Sequence, residues 1–409
     1  MCTFALAMDL FGHSSTQLIL FFILYGVTGA VPLIAALYLL LHRGNAFAPD
    51  ITPPVRLRHW AASFFVMSAL GHVWWMLFYF HLRNFHSVDD MVHSAGYVAI
   101  VLFDCASLLI TLAGTLLSML QDRRRHVWPV FVAMIPFVVL GGVLMVNPSR
   151  IVMLITSVYI LLLYVLFTVY MVFAIRRYER WLNDNYADLE NKKVWLSQMV
   201  TLVCLLLFIL YNFVDIDSIL TMYLMHFTEI VLFVLLLWRV ETLPQLDSIP
   251  VSEALPQSGS ISKEETDVAS APDMTETPDV QHREQQSSAS TLNIDLSQIE
   301  QQLDEHCVTT QLYLQHDLTL SQLAQTIGTN RYYLSQYFSR QGITYNIYIN
   351  NLRINHFISC YQEAAKAGQN IIAQQLASDS GYRSYSTFSL AFKQRTGQSV
   401  TAWMRDTVA

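Results

Sequence analysis

Four ionisable side chains lie inside long apolar runs of the sequence: His72, Asp104, His226 and Glu229. His226 and Glu229 are three residues apart and therefore share one face of a helix. Ionisable groups are costly to bury in an apolar helix bundle, so they usually face other helices or a water-filled cavity. Three interpretations stay open. The pattern favours mutual hydrogen bonds that fix helix packing; the alternatives are a pocket that senses a ligand, a proton or a metal, and a transport or catalytic site.

Other signals for chemistry are weak in this sequence. It contains no Walker loop, no G-x-S-x-G elbow, no H-E-x-x-H pair and no Rossmann fingerprint. Its five cysteines are scattered without a C-x-x-C pair, so no disulfide framework is expected. His81, His86 and His93 stand near Asp89 and Asp90, which indicates a metal site only weakly. We therefore predict a protein that is not an enzyme, with no catalytic residue, no cofactor and no metal site.

The elements that must position these four residues are long apolar helices. The chain is 54% hydrophobic and 13% charged, with a mean hydropathy of +0.38, values typical of a membrane protein. A helix needs about 20 mainly apolar residues to cross the bilayer core. Seven runs meet this requirement, at about Leu18–Leu41, Trp60–Leu82, Ala95–Leu120, Val127–Val146, Ile151–Ile175, Trp195–Phe213 and Ile219–Val240.

Charges between the runs predict the orientation of the spans. The first, third and fifth connections are basic, as in Arg123–Arg125 and Lys192–Lys193, whereas the second, fourth and sixth are not. Because basic loops face the cytoplasm, we expect the N-terminus outside and the C-terminus inside a bacterial inner membrane.

A change of composition follows the last run. Residues 247–292 carry nine acidic and two basic residues, whereas 1–246 carry 14 of each sign and 293–409 carry eight of each. Proline and small polar residues dominate this stretch, which therefore cannot bury enough apolar surface to fold. We predict a disordered acidic linker at residues 242–292. A passive spacer is favoured, and a site for proteolytic release is the alternative.

The first of two helix-turn-helix patterns begins after the linker. Thr319 and Gln322 match a capping box, and Gly328 ends the helix that they open. Asn330 can cap a second helix at Arg331–Arg340. Two short helices joined by a glycine turn are typical of DNA-binding domains, in which the second helix, called the reading helix below, enters the major groove.

The pattern then repeats. A longer helix is predicted at about Tyr345–Ala367, followed by a short helix at Ile371–Ser380. Gly381 forms the second turn, and Ser384–Arg395 is the second reading helix.

This doubled arrangement resembles the AraC/XylS family of bacterial transcription regulators. The resemblance covers about Ile299–Arg405, roughly a quarter of the chain. It implies two reading helices that enter successive major-groove segments of promoter DNA on one face. The residues that carry the resemblance are Leu376-Ala377, Gly381-Tyr382, Ser384, Phe388-Ser389, Ala391-Phe392-Lys393, Gly397 and Trp403.

The resemblance also implies the residues that touch DNA. Base contacts are expected from Tyr332, Ser335, Gln336, Tyr385, Ser386, Ser389 and Leu390. Phosphate contacts are expected from Arg331, Arg340, Arg383, Lys393 and Arg395. The family often has Arg where this chain has Gln336 and Leu390. Because Arg is the commonest reader of guanine, Leu390 leaves only apolar contact at its position.

Together these features predict an all-α protein with three parts: a polytopic seven-helix transmembrane bundle at residues 1–241, the linker at 242–292, and a double helix-turn-helix domain at 293–409. The expected function is a membrane-anchored transcription regulator in which the bundle senses a signal. Expected partners are double-stranded promoter DNA, membrane lipid, RNA polymerase, a second copy of the chain and an unknown signal ligand. The rival functions are a transporter or membrane enzyme with a regulatory DNA-binding tail, and an anchored regulator that linker proteolysis releases.

Overall fold

The computed structural model describes residues 15–42, 45–49, 51–81, 94–147, 149–189, 191–211, 219–246, 296–369 and 371–408. These residues form fourteen α-helices and no strand. The chain divides into two compact units. Unit 1 consists of Met1–Leu182 and Leu189–Ser248, and unit 2 consists of Asn183–Asp188 and Ile249–Ala409. Residues 247–292, most of the predicted linker, lie outside the described residues, as do residues 293–295.

Unit 1 is built from seven apolar helices. They are α1 (Ser15–Leu41), α2 (Val55–His81), α3 (Ala95–Met119), α4 (Trp128–Val146), α5 (Arg150–Asn185, whose last three residues belong to unit 2), α6 (Trp195–Leu210) and α7 (Ile219–Thr242). Large apolar side chains cover their outward faces, such as Ile34 and Phe227, each 65% exposed. A helix satisfies its own backbone hydrogen bonds, so such an apolar surface suits a lipid environment.

Six of these helices are long and apolar enough to cross a membrane. The exception among the described residues is α6, which has 16 residues and is therefore about 24 Å long, short of the roughly 30 Å of a bilayer core. The sequence places the sixth span at Trp195–Phe213, but residues 212–213 lie outside the described part of the chain. The predicted count of seven spans therefore stays a prediction.

The fifth helix is longer than its predicted span of Ile151–Ile175. It runs on through a charged stretch to Asn185, so that α5 has 36 residues. Tyr178 and Leu182 on this extension are fully buried. These two residues are one helical turn apart and therefore form a contact face. Hydropathy averaged along the sequence does not detect this face, because charged residues lie between them.

Close helix packing in unit 1 depends on small residues. A Cβ atom at Gly114 on α3 would collide with the Trp60 ring on α2, and one at Gly71 on α2 would collide with the Asp104 carboxylate. Small residues let helix backbones approach in the absence of a hydrophobic driving force between helices. As a result α2 packs against both α1 and α3, while α7 packs against α1, α2 and α6.

Unit 2 contains seven further α-helices around two hydrophobic cores. They are α8 (Leu296–Leu303), α9 (Leu320–Thr326), α10 (Arg331–Arg340), α11 (Tyr345–Lys366), α12 (Ala373–Asp379), α13 (Tyr385–Thr396) and α14 (Val400–Val408). The predicted capping box is present, since the Thr319 side chain accepts from the Gln322 backbone and Gln322 bonds back to Thr319. Asn330 caps α10 as predicted, accepting from the Tyr332 amide at 2.8 Å.

Helix α11 contributes to both cores. Tyr345 and Ile349 lie in the core of the first helix-turn-helix, α9–α10, whereas Ile354 and Phe357 lie in the core of the second, α12–α13. Arg353 stands between these pairs and is completely buried. Its guanidinium donates from Nε to the Tyr313 carbonyl and from Nη2 to the Gln315 carbonyl, both at 2.7 Å.

Two further contacts hold the Arg353 guanidinium. Its Nη1 atom lies 3.8 Å from the Asp188 carboxylate, and the cation lies 5.4 Å from the centre of the Tyr382 ring. Because Tyr382 belongs to the second core, Arg353 joins the two halves of unit 2.

Candidate nucleic-acid interface and polar cluster of unit 1

Helix α10 presents its polar face to solvent. Leu334, Tyr337 and Phe338 face the core, so the positions between them point outward. Tyr332 is 46% exposed and Ser335 is exposed, while Gln336 is half-buried. The Gln336 amide donates to the Tyr332 hydroxyl at 3.4 Å. All three predicted base-contact residues of this helix therefore lie on one accessible face, which has hydrogen-bonding groups suited to base edges.

Helix α13 presents a mixed face. Ser386 and Leu390 are exposed, and Ser389 is half-buried. Tyr385 packs partly against the second core, with its ring 5.8 Å from that of Phe388. The Ser384 side chain caps the helix and also lies 3.0 Å from the Ser386 hydroxyl. This face therefore offers two serine hydroxyls, a half-buried tyrosine and one leucine, where α10 offers a tyrosine, a serine and a glutamine amide.

The five predicted phosphate contacts divide into two groups. Arg331 donates to the Asn185 side chain, Arg383 pairs with Asp317 at 2.9 Å, and Arg395 donates to Asn355 at 2.6 Å. Arg340 and Lys393 are exposed, and within the described residues their side chains have no hydrogen-bond or ion-pair partner.

In the first group, a contact between the arginine and a DNA phosphate must compete with the contact that the arginine already makes within the protein. Arg340 near the end of α10 and Lys393 on α13 carry no such penalty. Of the five predicted phosphate contacts, these two could therefore meet a phosphate backbone without losing a contact within the described residues, and such contacts supply a large share of the affinity of many DNA-binding proteins.

The buried phenol and thiol groups of unit 2 stay neutral at neutral pH and belong to the scaffold. Burial raises the pKa of the Tyr382 phenol, although the nearby Arg353 cation acts in the opposite direction. Burial likewise raises the pKa of the Cys307 thiol to about 11. The electrostatic character of the interface at neutral pH therefore comes from its Arg, Lys, Asp and Glu side chains.

The structure brings together three of the four ionisable residues predicted in the spans. His72 on α2 lies with its Nε2 atom 3.8 Å from Oε2 of Glu229 on α7. His226, also on α7, has its Nδ1 atom 3.2 Å from the same oxygen. Thr28 on α1 completes the group, with its hydroxyl 3.0 Å from His72 Nε2 and 3.1 Å from His226 Nδ1. We call these four residues the polar cluster.

Asp104 is close to the polar cluster but separate from it. Its carboxylate accepts from the Trp75 indole at 3.2 Å. Asp104, His226 and Glu229 all line one cavity of about 500 Å³ inside unit 1, whose walls are otherwise mainly apolar. Cavities of this size with a few convergent polar groups are typical of small-molecule sites.

Sequence reasoning missed several residues that organise these sites. Thr28 and Arg353 were not singled out, since a lone threonine or arginine in a helix gives no signal of its own partners. Asn185 and Asp188 were also missed, although they contact Arg331 and Arg353 in unit 2, to which they themselves belong. Only the extreme burial of Arg353 on an otherwise amphipathic helix marks it out, and burial cannot be observed in a sequence.

Comparison with known proteins bears on unit 2. Residues 323–406 match a helix-turn-helix domain family, a match that supports the resemblance to AraC-type regulators. It extends from α9 to α14 and thus includes both reading helices, α10 and α13. Searches of curated proteins and of solved structures found no significant match to the chain. The chain therefore contains a DNA-binding helix-turn-helix domain of the type found in transcription regulators.

Proposed function

We propose that this protein is a membrane-anchored transcription regulator whose double helix-turn-helix domain binds promoter DNA in the cytoplasm under the control of unit 1. One observation carries the proposal: a single chain contains two helix-turn-helix motifs sharing α11 and also six helices apolar enough to cross a membrane. Recognition of DNA then needs no bond chemistry, and the accessible faces of α10 and α13 supply the readers.

The proposed signal is a small ligand or ion that enters unit 1. The cavity of about 500 Å³ beside the polar cluster supports a sensing role, since it offers Asp104, His226 and Glu229 to an occupant. The same cavity is also the observation that favours the rival function, a transporter or membrane enzyme with a DNA-binding tail. Substrate turnover or flux by the purified protein in vesicles would decide for the rival.

Sequence readout is expected to depend on Gln336. A glutamine can bond adenine with two hydrogen bonds, so Gln336→Ala should cost about 1–3 kcal/mol in binding to the preferred sequence and relax the preference at one or two base pairs. Selection of bound sequences from a random DNA library, with the full chain in detergent, measures both effects. Gln325→Ala makes the same change at an exposed residue of α9 and serves as the control. Equal relaxation by both variants would contradict the role of Gln336.

Lys393 is expected to contribute affinity without specificity. Lys393→Ala should weaken binding to all sequences alike and reduce the slope of log K against log salt by about one unit, because one fewer phosphate contact releases fewer counterions. Binding titrations across a salt series measure the slope. Gln394→Ala, an exposed neutral neighbour, should leave the slope unchanged. A change of base preference in Lys393→Ala would show that this residue reads bases instead.

The proposed topology places the N-terminus outside and Ala409 inside. Phosphatase and fluorescent-protein fusions at Gln121, between α3 and α4, and at Tyr211, after α6, should then report opposite sides, since three more helices separate the second position from the first. The prediction depends most on α6, the shortest of the seven helices in unit 1. If both fusions report the same side, one of the three helices between them does not cross the membrane and the seven-span topology is wrong.

A further inference from the structure

We propose that His72, His226 and Glu229 form a binding site for a divalent transition-metal ion of the zinc type inside unit 1. Each residue offers one donor atom, and the three donor atoms all lie within 4.8 Å of one another. Two imidazoles and one carboxylate form a donor set typical of zinc and of related first-row metals. The inference goes beyond DNA binding and is tested without it, so that either can fail alone.

The spacing of the donors suits a metal ion. Metal–ligand distances of about 2.0–2.1 Å in tetrahedral geometry place neighbouring donors roughly 3.3 Å apart. The Glu229 Oε2 atom lies 3.2 Å from His226 Nδ1 and 3.8 Å from His72 Nε2. The two histidine donors lie within 4.8 Å of each other, so side-chain shifts of at most about 1.5 Å would place all three donors around one ion. His226 and Glu229 need no rearrangement of the backbone, since their spacing of three residues keeps them on one helical face.

The tautomer of His72 is fixed in the form that a metal requires. Its Nδ1 atom lies 2.9 Å from the Ser68 carbonyl, which can only accept a hydrogen bond. In the neutral ring the proton therefore sits on Nδ1, and the lone pair of Nε2 faces Thr28 and Glu229. A hydrogen bond from the ring nitrogen that does not bind the metal to a backbone carbonyl is the usual support of a metal-bound histidine.

Charge also favours a cation at this position. The Glu229 side chain is only 14% exposed and, within the described residues, its ion-pair partners are the two histidines. A carboxylate in an apolar bundle is strongly destabilised without a compensating positive charge. Glu229 and His226 line the cavity described above, which gives an ion a place from which to enter and leaves room for a water or small anion as fourth ligand.

The competing arrangement is a hydrogen-bond network without metal. In that network the Thr28 hydroxyl, which also lies within hydrogen-bonding distance of the Leu24 and Tyr25 carbonyls, donates to His72 Nε2, and His226 Nδ1 donates to Glu229. The two arrangements differ in one measurable respect: only the metal site would bind an ion with a defined stoichiometry, affinity and set of ligands.

Zinc binding by the purified full-length protein tests the proposal. Wild-type protein in detergent should take up one Zn²⁺ per chain against a competing chelator, and Co²⁺ in its place should show the intense visible bands of four-coordinate cobalt. Loss of even a supporting residue costs about 10–100-fold in metal affinity, so His72→Gln, His226→Gln and Glu229→Gln should each weaken Zn²⁺ binding by more than about 100-fold. Unchanged binding in these variants would place the ion elsewhere and overturn the proposal.

One matched control and one direct measurement complete the test. His59→Gln removes an exposed histidine from the same helix as His72 and should stay within about threefold of wild type. X-ray absorption by the zinc-loaded wild-type protein needs no variant to fold. A shell of nitrogen and oxygen with two imidazoles supports the site. A shell containing sulfur, a six-oxygen shell or no bound zinc overturns it in favour of the hydrogen-bond network.

Discussion

Arg353→Met is expected to destabilise unit 2 by about 3–5 kcal/mol, because it removes one partner of a buried charge pair. The variant loses the two donations to the Tyr313 and Gln315 carbonyls and leaves the buried Asp188 carboxylate without its arginine. Methionine keeps most of the side-chain volume, so the loss reports on charge and hydrogen bonding more than on a cavity.

Hydrogen exchange in the full chain measures this effect without isolating unit 2. Amides of α11 and α13 should exchange faster by the factor that corresponds to the lost stability, whereas amides of α2 in unit 1 provide an internal reference. Arg383→Met is the matched control. Its guanidinium is 65% exposed in a surface pair with Asp317, which makes an effect of at most about 1 kcal/mol expected. Similar losses in both variants would show that burial of Arg353 does not set its contribution.

Gly381→Ala is expected to cost about 2–5 kcal/mol, from two separate causes. Gly381 has φ of +90°, a left-handed conformation that an L-residue adopts at a cost of about 1–2 kcal/mol. A Cβ atom there would also lie 2.8 Å from the Leu314 carbonyl oxygen and 3.0 Å from Arg353 Nε. Because the first neighbour is backbone, relief requires a shift of the chain, and such overpacking costs about 1–3 kcal/mol more.

Gly397→Ala separates the two causes. Gly397 also has a positive φ, +78°, but a Cβ atom there would meet nothing within 4 Å. Its expected cost is the conformational part alone, about 1–2 kcal/mol. The same exchange experiment, read on α12 and α13, compares the two variants. Equal losses would show that strain alone matters at Gly381 and that the contact with Leu314 relaxes freely.

Much of unit 2 could be predicted from its sequence because its boundaries are marked locally. Helix α10 begins at Arg331 and ends at Arg340 as predicted, since Asn330 and Gly328 signal the cap and the turn. The sequence predicts the start of α12 at Ile371, two residues before its observed start at Ala373. Its N-cap, Ile372, makes no side-chain capping bond, so no local signal fixed that boundary.

The sites depended on contacts that sequence patterns do not report. The spacing of His226 and Glu229 predicts a shared helical face, and mutual hydrogen bonds with His72 are the favoured interpretation of the sequence. Nothing in the sequence indicates that Thr28 joins them or that His72, rather than Asp104, is the nearest partner. Thr28 and His72 lie on two other helices, and their meeting depends on how three helices pack. The same holds for Arg331, whose contact with Asn185 comes from a distant segment of the chain.

The continuity of α11 has a consequence for the DNA rather than for the protein. One uninterrupted helix from Tyr345 to Lys366 enters both cores, and the buried Arg353 fastens one to the other. The two reading helices are therefore held at a fixed separation and orientation relative to each other. One base pair inserted between two half-sites rotates the second by about a tenth of a helical turn and moves it away by about 3.4 Å. A DNA target that contacts both reading helices is therefore expected to keep a fixed spacing between its two half-sites.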